Sequence, residues 1–563
     1  TLGRSSAASD VYKRQVVPLP LCSGRVRVIH RILARLGVEE SERAIFSWAW
    51  LCLLLTGAAI FALLNVSETL FLKRVAVEYL PYALLASSAL LVVTTALVSR
   101  RVAGPESPRW MSRVLLLLAI VLLPFALLTG RDSAAVFVAM VILARQVLAL
   151  GPLVLFLSLG ELLTGRQAKR LFAPITAGVT IGAMGGSFAS DPIARTVGAE
   201  GVLVVCALLL SGAALAGHRL RRARPRRLER GVAVGASAGR KRGGRPGSQP
   251  STARLWSESR LFRLLLVCLL CGGALNPVLY FQFAYAADAA TLGADGEQAL
   301  LTLYAQFRGW LSLALLVAQL WLSGRLFRRF GLPLSLALWP ATYLVGFTWL
   351  GVRLSLPGGI ASLGAARVTE DGIAEPARRV LFNLFPESLR ARASGILEGP
   401  VYRLGGVLGN GLVLIALAVA SAQVIGYAAM PAAAIWFAAA LVLWRAYPGL
   451  LLQASADRGL VGLGADKEEL LDARTVRALA PSLVDADPRA CRAALDLIVE
   501  AEPALAAELL AEAVEGAPEA TRPQLVDALH RLVEPHAPGA LRAPQAASVL
   551  ARALSGESQL LPE

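Results

Sequence analysis

The sequence predicts an all-α membrane protein: a twelve-helix bundle built as six plus six, followed by a C-terminal cytoplasmic α-solenoid. Three observations carry that prediction. Of the 563 residues, 56 % are apolar and only 17 % charged, whereas soluble chains carry about 25 % charge. Twelve apolar segments are long enough to cross about 30 Å of hydrocarbon. Lys and Arg fall preferentially in alternate loops, which is how a polytopic chain orients itself. The net charge of +17 does not indicate nucleic-acid binding, because residues 1–450 hold +25 and residues 451–563 hold −8. The basic excess belongs to the apolar part.

Residues 1–15 match nothing in the style of the rest of the chain, and the fold argument excludes them as a non-native scar. Residues 16–44 contain Val26, Val28, Ile29, Ile32, Leu33 and Leu36 among Arg25, Arg27, Arg31 and Arg35. That pattern predicts a cytoplasmic amphipathic helix at the lipid surface. The predicted spans are 45–64, 79–99, 114–129, 133–158, 171–190 and 200–217, then 262–286, 299–323, 331–352, 357–384, 401–421 and 423–445. Helices are expected throughout, since only a helix satisfies its own backbone in lipid at this length. One set of alternate loops holds 26 Lys and Arg and the other holds 5. Both termini and the basic linker 218–260 are therefore expected in the cytoplasm of a bacterium, with the bundle in its inner membrane.

The tail, 451–563, changes to short runs with polar faces. Ala486–Leu495 and Gly516–Leu525 align at an offset of 30, each with a proline near an expected helix start. The tail resembles HEAT repeats, which stack into solenoids and bind proteins along a groove. A small helical cap on the cytoplasmic face is the plainer alternative. The six cysteines are scattered, and Cys268 and Cys271 have no second pair or histidine near them. They read as small core residues, and neither a metal nor a cofactor is expected.

Ionisable residues inside a span cost about 2.5–3.5 kcal/mol at a helix centre unless they line a cavity or find a partner. Arg145 and Arg308 lie mid-span, and Glu68 and Lys73 follow the first span closely. Asn276, Pro277 and Gln282 interrupt the seventh, where Gly272 and Gly273 add slack and a bend is expected. Glu68, Lys73, Arg145, Asn276, Gln282 and Arg308 form the candidate substrate set. In the tenth span Arg367, Asp371, Glu375 and Arg378 share a helical face. They are candidate gating residues, together with Lys169 and Arg170. Either group has a structural alternative, as ion pairs pinning one conformation. Several cavity cations favour an anionic substrate.

Two six-helix halves joined by a long loop resemble the plan of major facilitator transporters, whose halves rock around a midplane site. Five stretches in order resemble the ATP/ADP translocase family within that fold. They are Ser67–Leu72, Glu78–Pro81, Gln167–Ile175, Glu375–Pro386 and Arg392–Glu398. Tyr280–Phe283 and the tail are similar to the bacterial branch fused to HEAT repeats. The resemblance implies nucleotide exchange across a membrane with no enzymatic step. This chain departs from it where charge matters: Ser67 stands where the family has lysine, and Arg379 where it has glutamate. The expected partners are membrane lipid, an anionic small molecule such as ATP or ADP, and a protein for the tail. The rival expectation is a degenerate transporter that anchors a protein-binding tail.

Overall fold

The structure, a computed structural model, describes residues 38–102, 107–131, 133–163, 165–223, 256, 259–419, 421–458, 471–485, 487–500, 503–516 and 521–533. The amphipathic segment 25–37 and most of the linker lie outside them. Everything regular among the described residues is helical. The first half contains α1 (Arg43–Arg74), α2 (Leu80–Val102), α3 (Ser107–Leu128), α4 (Ala134–Leu162) and α5 (Gly165–Arg222). The second begins with α6 (Arg260–Ala290), α7 (Gly296–Val317) and α8 (Leu332–Val352). It continues with α9 (Leu356–Thr369), α10 (Glu375–Leu381), α11 (Glu387–Ile396), α12 (Tyr402–Val419) and α13 (Val424–Arg458). Among the described residues ten helices are long and apolar enough to cross a membrane, so the chain is a multi-pass membrane protein.

Two features set this count against twelve expected spans. α5 runs for 58 residues but is broken at Gly198, whose φ of 76° is open to glycine at little cost. The rod formed by α9, a π-turn at Glu370–Ala374 and α10 falls outside the ten. It carries Arg367, Glu370, Asp371, Glu375, Arg378 and Arg379, too many charges for an apolar window.

The halves are built alike. α1 packs against α5 and α6 against α12, with backbones in close approach. A Cβ on Gly182 would strike the Leu54 carbonyl, and one on Gly409 would strike that of Ala274. Small residues at such crossings let helices associate by packing where lipid offers no hydrophobic drive. Gly273 belongs to the same seam, against the Tyr402 carbonyl. Gly273, expected to loosen the seventh span, therefore tightens a crossing, Gly272 makes room for the Trp339 and Trp436 rings, and α6 runs unbroken through Pro277.

Past the membrane, α13 extends to Arg458, and four shorter helices are described after it: α14 (Ala473–Leu479), α15 (Pro488–Val499), α16 (Pro503–Gly516) and α17 (Arg522–Val533), of which α14 and α15 pack against it. The Arg474 guanidinium stacks on Trp444 at 3.3 Å from the ring centre. The Asp472 carboxylate lies against Gly331, the N-cap of α8, where negative charge complements the helix dipole. The last of the four helices begins at Arg522, with Pro523 in its first turn. Pro518, the expected start, lies outside the described residues.

Candidate functional site

Three spans from one half and two from the other meet at Glu68. Its carboxylate, 1 % exposed, takes Arg145 of α4 through Nη2 on Oε1 at 2.7 Å and Arg308 of α7 through Nη2 on Oε2. Arg308 also donates from Nη1 to Asn65 Oδ1 at 2.8 Å, and Asn65 Nδ2 donates to Ser190 Oγ on α5 at 2.9 Å. Tyrosine rings floor both guanidinia: Arg145 lies 5.0 Å from the centre of Tyr280, and Arg308 lies 4.8 Å from that of Tyr304. Such stacking suits the planar, weakly hydrated guanidinium. By rise per residue, Arg145 and Arg308 both sit about 17 Å from the helix ends nearest Arg74, close to mid-membrane.

The charge count matters. Two guanidinia share one carboxylate, so the cluster keeps one net positive charge where burial is expensive. Several polar atoms there have no protein partner, among them Arg145 Nε and the Tyr304 hydroxyl. The Tyr280 hydroxyl comes close to Glu68 without a hydrogen bond of normal geometry. Buried polar atoms are ordinarily satisfied, so unfilled capacity at a charged centre leaves room for a polar guest. Arg145 remains 21 % exposed, which gives the centre an open side.

A second cluster lies wholly within the second half. Arg367 donates to Glu370 Oε2 at 3.1 Å and to Asn276 Oδ1 at 2.9 Å. Tyr402 donates to Glu370 Oε1 at 2.8 Å, and Asn276 Nδ2 reaches the Tyr402 hydroxyl at 3.1 Å. Here one acid answers one base, and the neutral groups close the ring.

Toward the Arg74 end, polar contacts cross between the halves. Lys73 pairs with Asp288 at 2.7 Å and donates to the Thr291 carbonyl at 2.9 Å. Arg74 pairs with Glu297 at 3.1 Å. Asp191 accepts from Gln298 at 2.6 Å and Thr302 at 2.7 Å. Beside them lies a cavity of about 370 Å³ lined by Thr69, Arg74, Glu200, Asp295, Glu297 and Gln298.

The structure thus brings Glu68, Arg145 and Arg308 together. It places Lys73 in the end contacts and Asn276 in the second cluster. Gln282 is turned away from both, with Nε2 donating to the Ala422 carbonyl at 3.5 Å. The stripe in the tenth span does not pair along its own face. Arg367 takes Glu370, Arg379 takes Glu375, and Arg378 takes Glu398 at 3.2 Å. The π-turn at Glu370–Ala374 separates Arg367 from Glu375, and its wider turn shifts the α-helical spacing across that part of the stripe, whereas Glu375 and Arg378 both follow it on α10. Arg170 bonds Glu39 at 2.7 Å and also Glu42, both in its own half. The Lys169 side chain lies outside the described residues.

Asn65, Tyr402 and Asp288 are not among the candidates that the sequence suggests. Asp288 had a signal: it is an acid at the end of the seventh span, the counterpart of Lys73 at the end of the first. Tyr402 had none beyond its proximity to a charged helix.

No protein-family model matches the chain, and no curated protein matches it by sequence. Solved structures do. A bacterial homologue of the iron transporter ferroportin, in an inward-facing state, is 15 % identical with a TM-score of 0.50, covering 70 % of this chain and 98 % of that one. A D-xylose–proton symporter is 16 % identical with a TM-score of 0.51, covering 71 % and 97 %. The bundle therefore has the major facilitator transporter fold.

Proposed function

We propose that the chain is a secondary transporter that moves an anionic small molecule by alternating access. Nucleotides or other phosphorylated or organic anions are the preferred class. The observation that carries this reading is Glu68, held at once by Arg145 from its own half and Arg308 from the other. A carboxylate shared across the seam is a contact that an incoming anion can replace, since the substrate's oxygens offer the guanidinia the same geometry. The replacement would free the halves to rock.

The proposed topology has twelve spans. Gly198 divides α5 into the fifth and sixth, and the charged rod α9–α10 forms the tenth. Both termini and the basic linker would lie in the cytoplasm, in the inner membrane of a bacterium. Uptake of labelled ATP and ADP into proteoliposomes tests the cargo. The parent should take up label, and Arg145→Ala and Arg308→Ala should each lose at least about tenfold in uptake. Unchanged uptake in both variants would remove these residues from the path.

A second reading, a membrane anchor for a protein-binding tail, draws on the docking of α14 and α15 against α13. Removing residues 459–563 separates the two. Transport that survives while a tail-dependent phenotype disappears would favour the anchor.

A further inference from the structure

Arg403 differs from five other arginines of the spanning helices, each of which has an acid. Arg145 and Arg308 have Glu68, Arg367 has Glu370, Arg378 has Glu398 and Arg379 has Glu375. Among the described residues Arg403 makes a single hydrogen bond, from Nη1 to Thr95 Oγ1 on α2 at 3.2 Å. No carboxylate among the described residues lies within ion-pair distance of it. The Thr95 hydroxyl is a neutral acceptor and donates its own proton to the Leu91 carbonyl. Four of the five N–H donors of Arg403 are therefore unused.

Its position narrows what can use them. Arg403 lies sixteen residues before Val419, where α12 ends, or about 24 Å along the helix. Thr95 is fifteen residues into α2, a similar depth of about 22 Å. Both lie near the boundary of a hydrocarbon layer about 30 Å thick, on the side away from Arg74, within reach of headgroups for a long side chain. Large apolar side chains surround the pair: Leu404, Val407 and Leu408 on α12, and Val92, Val93 and Leu97 on α2, are each between 44 % and 57 % exposed. In a bilayer that is the exposure of acyl-chain contacts.

We propose that Arg403, at the seam between α2 and α12, binds the phosphate of a membrane phospholipid. The phosphate oxygens accept from the free edge of the guanidinium, the fork geometry for which arginine is suited. The acyl chains then run along the apolar faces of both helices. Because α2 and α12 belong to different halves, the lipid would bridge the moving parts. This site stands apart from the transport reading and does not need it.

The test is lipid retention by the purified full-length protein, measured by native mass spectrometry with phosphatidylglycerol and with a phosphate-free galactolipid. Wild type should retain phosphatidylglycerol in preference to galactolipid, and Arg403→Gln should lose about tenfold in that preference. Arg403→Lys keeps the charge without the fork and should fall between them, which preserves the comparison if the glutamine variant does not fold. Equal retention by wild type and both variants would overturn the site. A parallel thermal-unfolding assay with inorganic phosphate covers the other source: a shift that depends on Arg403 there, with none from lipid, would overturn the lipid assignment.

Discussion

The two buried polar clusters use the same groups to opposite ends. Around Arg367, one acid, one base, an amide and a phenol close on each other inside a single half. Around Glu68, two bases from different halves compete for one acid. A cluster confined to one body travels with it and can be fully satisfied. A cluster divided between two bodies must come apart when they separate, and its unbalanced charge must be met by something in each state. The first is suited to holding a half together, the second to sensing what lies between the halves.

Removing the acids should expose that difference most strongly. Glu68→Gln strands two guanidinia and should destabilise the bundle by about 3–5 kcal/mol, seen as a lower unfolding temperature in detergent. Glu370→Gln strands one, with Asn276 still bonded to it, and should cost less, about 1.5–3 kcal/mol. Equal losses would erase the distinction between a shared and a closed cluster. The end contacts come next. In a double-mutant cycle, Lys73→Gln with Asp288→Asn should give a coupling of about 1 kcal/mol, since the pair is only partly exposed. Labelling of a cysteine placed in the neighbouring cavity should also rise in each single variant. The smallest effect is expected at the tail, where Arg474→Ala should lose about 0.5–1 kcal/mol of docking on Trp444. Limited proteolysis between α13 and α14 would read it as faster cleavage.

The bundle was legible in the sequence because lipid enforces a simple rule of length and apolarity, and the basic loops alternate with it. Arg145, Arg308 and Glu68 were legible for the same reason, as charges that hydrocarbon does not tolerate alone. Their convergence on one another was not, since nothing in the spacing links residues 68, 145 and 308. The stripe from Arg367 to Arg378 misled because periodicity assumes an unbroken α-helix, and a π-turn interrupts it between Arg367 and Glu375. There Ser323, on the helical segment that continues α7 to Phe327, donates to the Gly372 carbonyl at 2.5 Å. Arg403 was hidden by a boundary: a span placed at 401–421 makes it a terminal residue, whereas α11, the following π-turn and α12 carry helix on both sides of it.

The most direct measurement compares the rise in unfolding temperature that ATP produces in wild type and in Glu68→Gln. If Glu68 occupies the guanidinia until an anion displaces it, removing that competitor should make the ATP-induced rise larger in the variant, as the stranded cations gain a partner. A rise equal to or smaller than that of wild type would contradict the displacement of Glu68 by substrate.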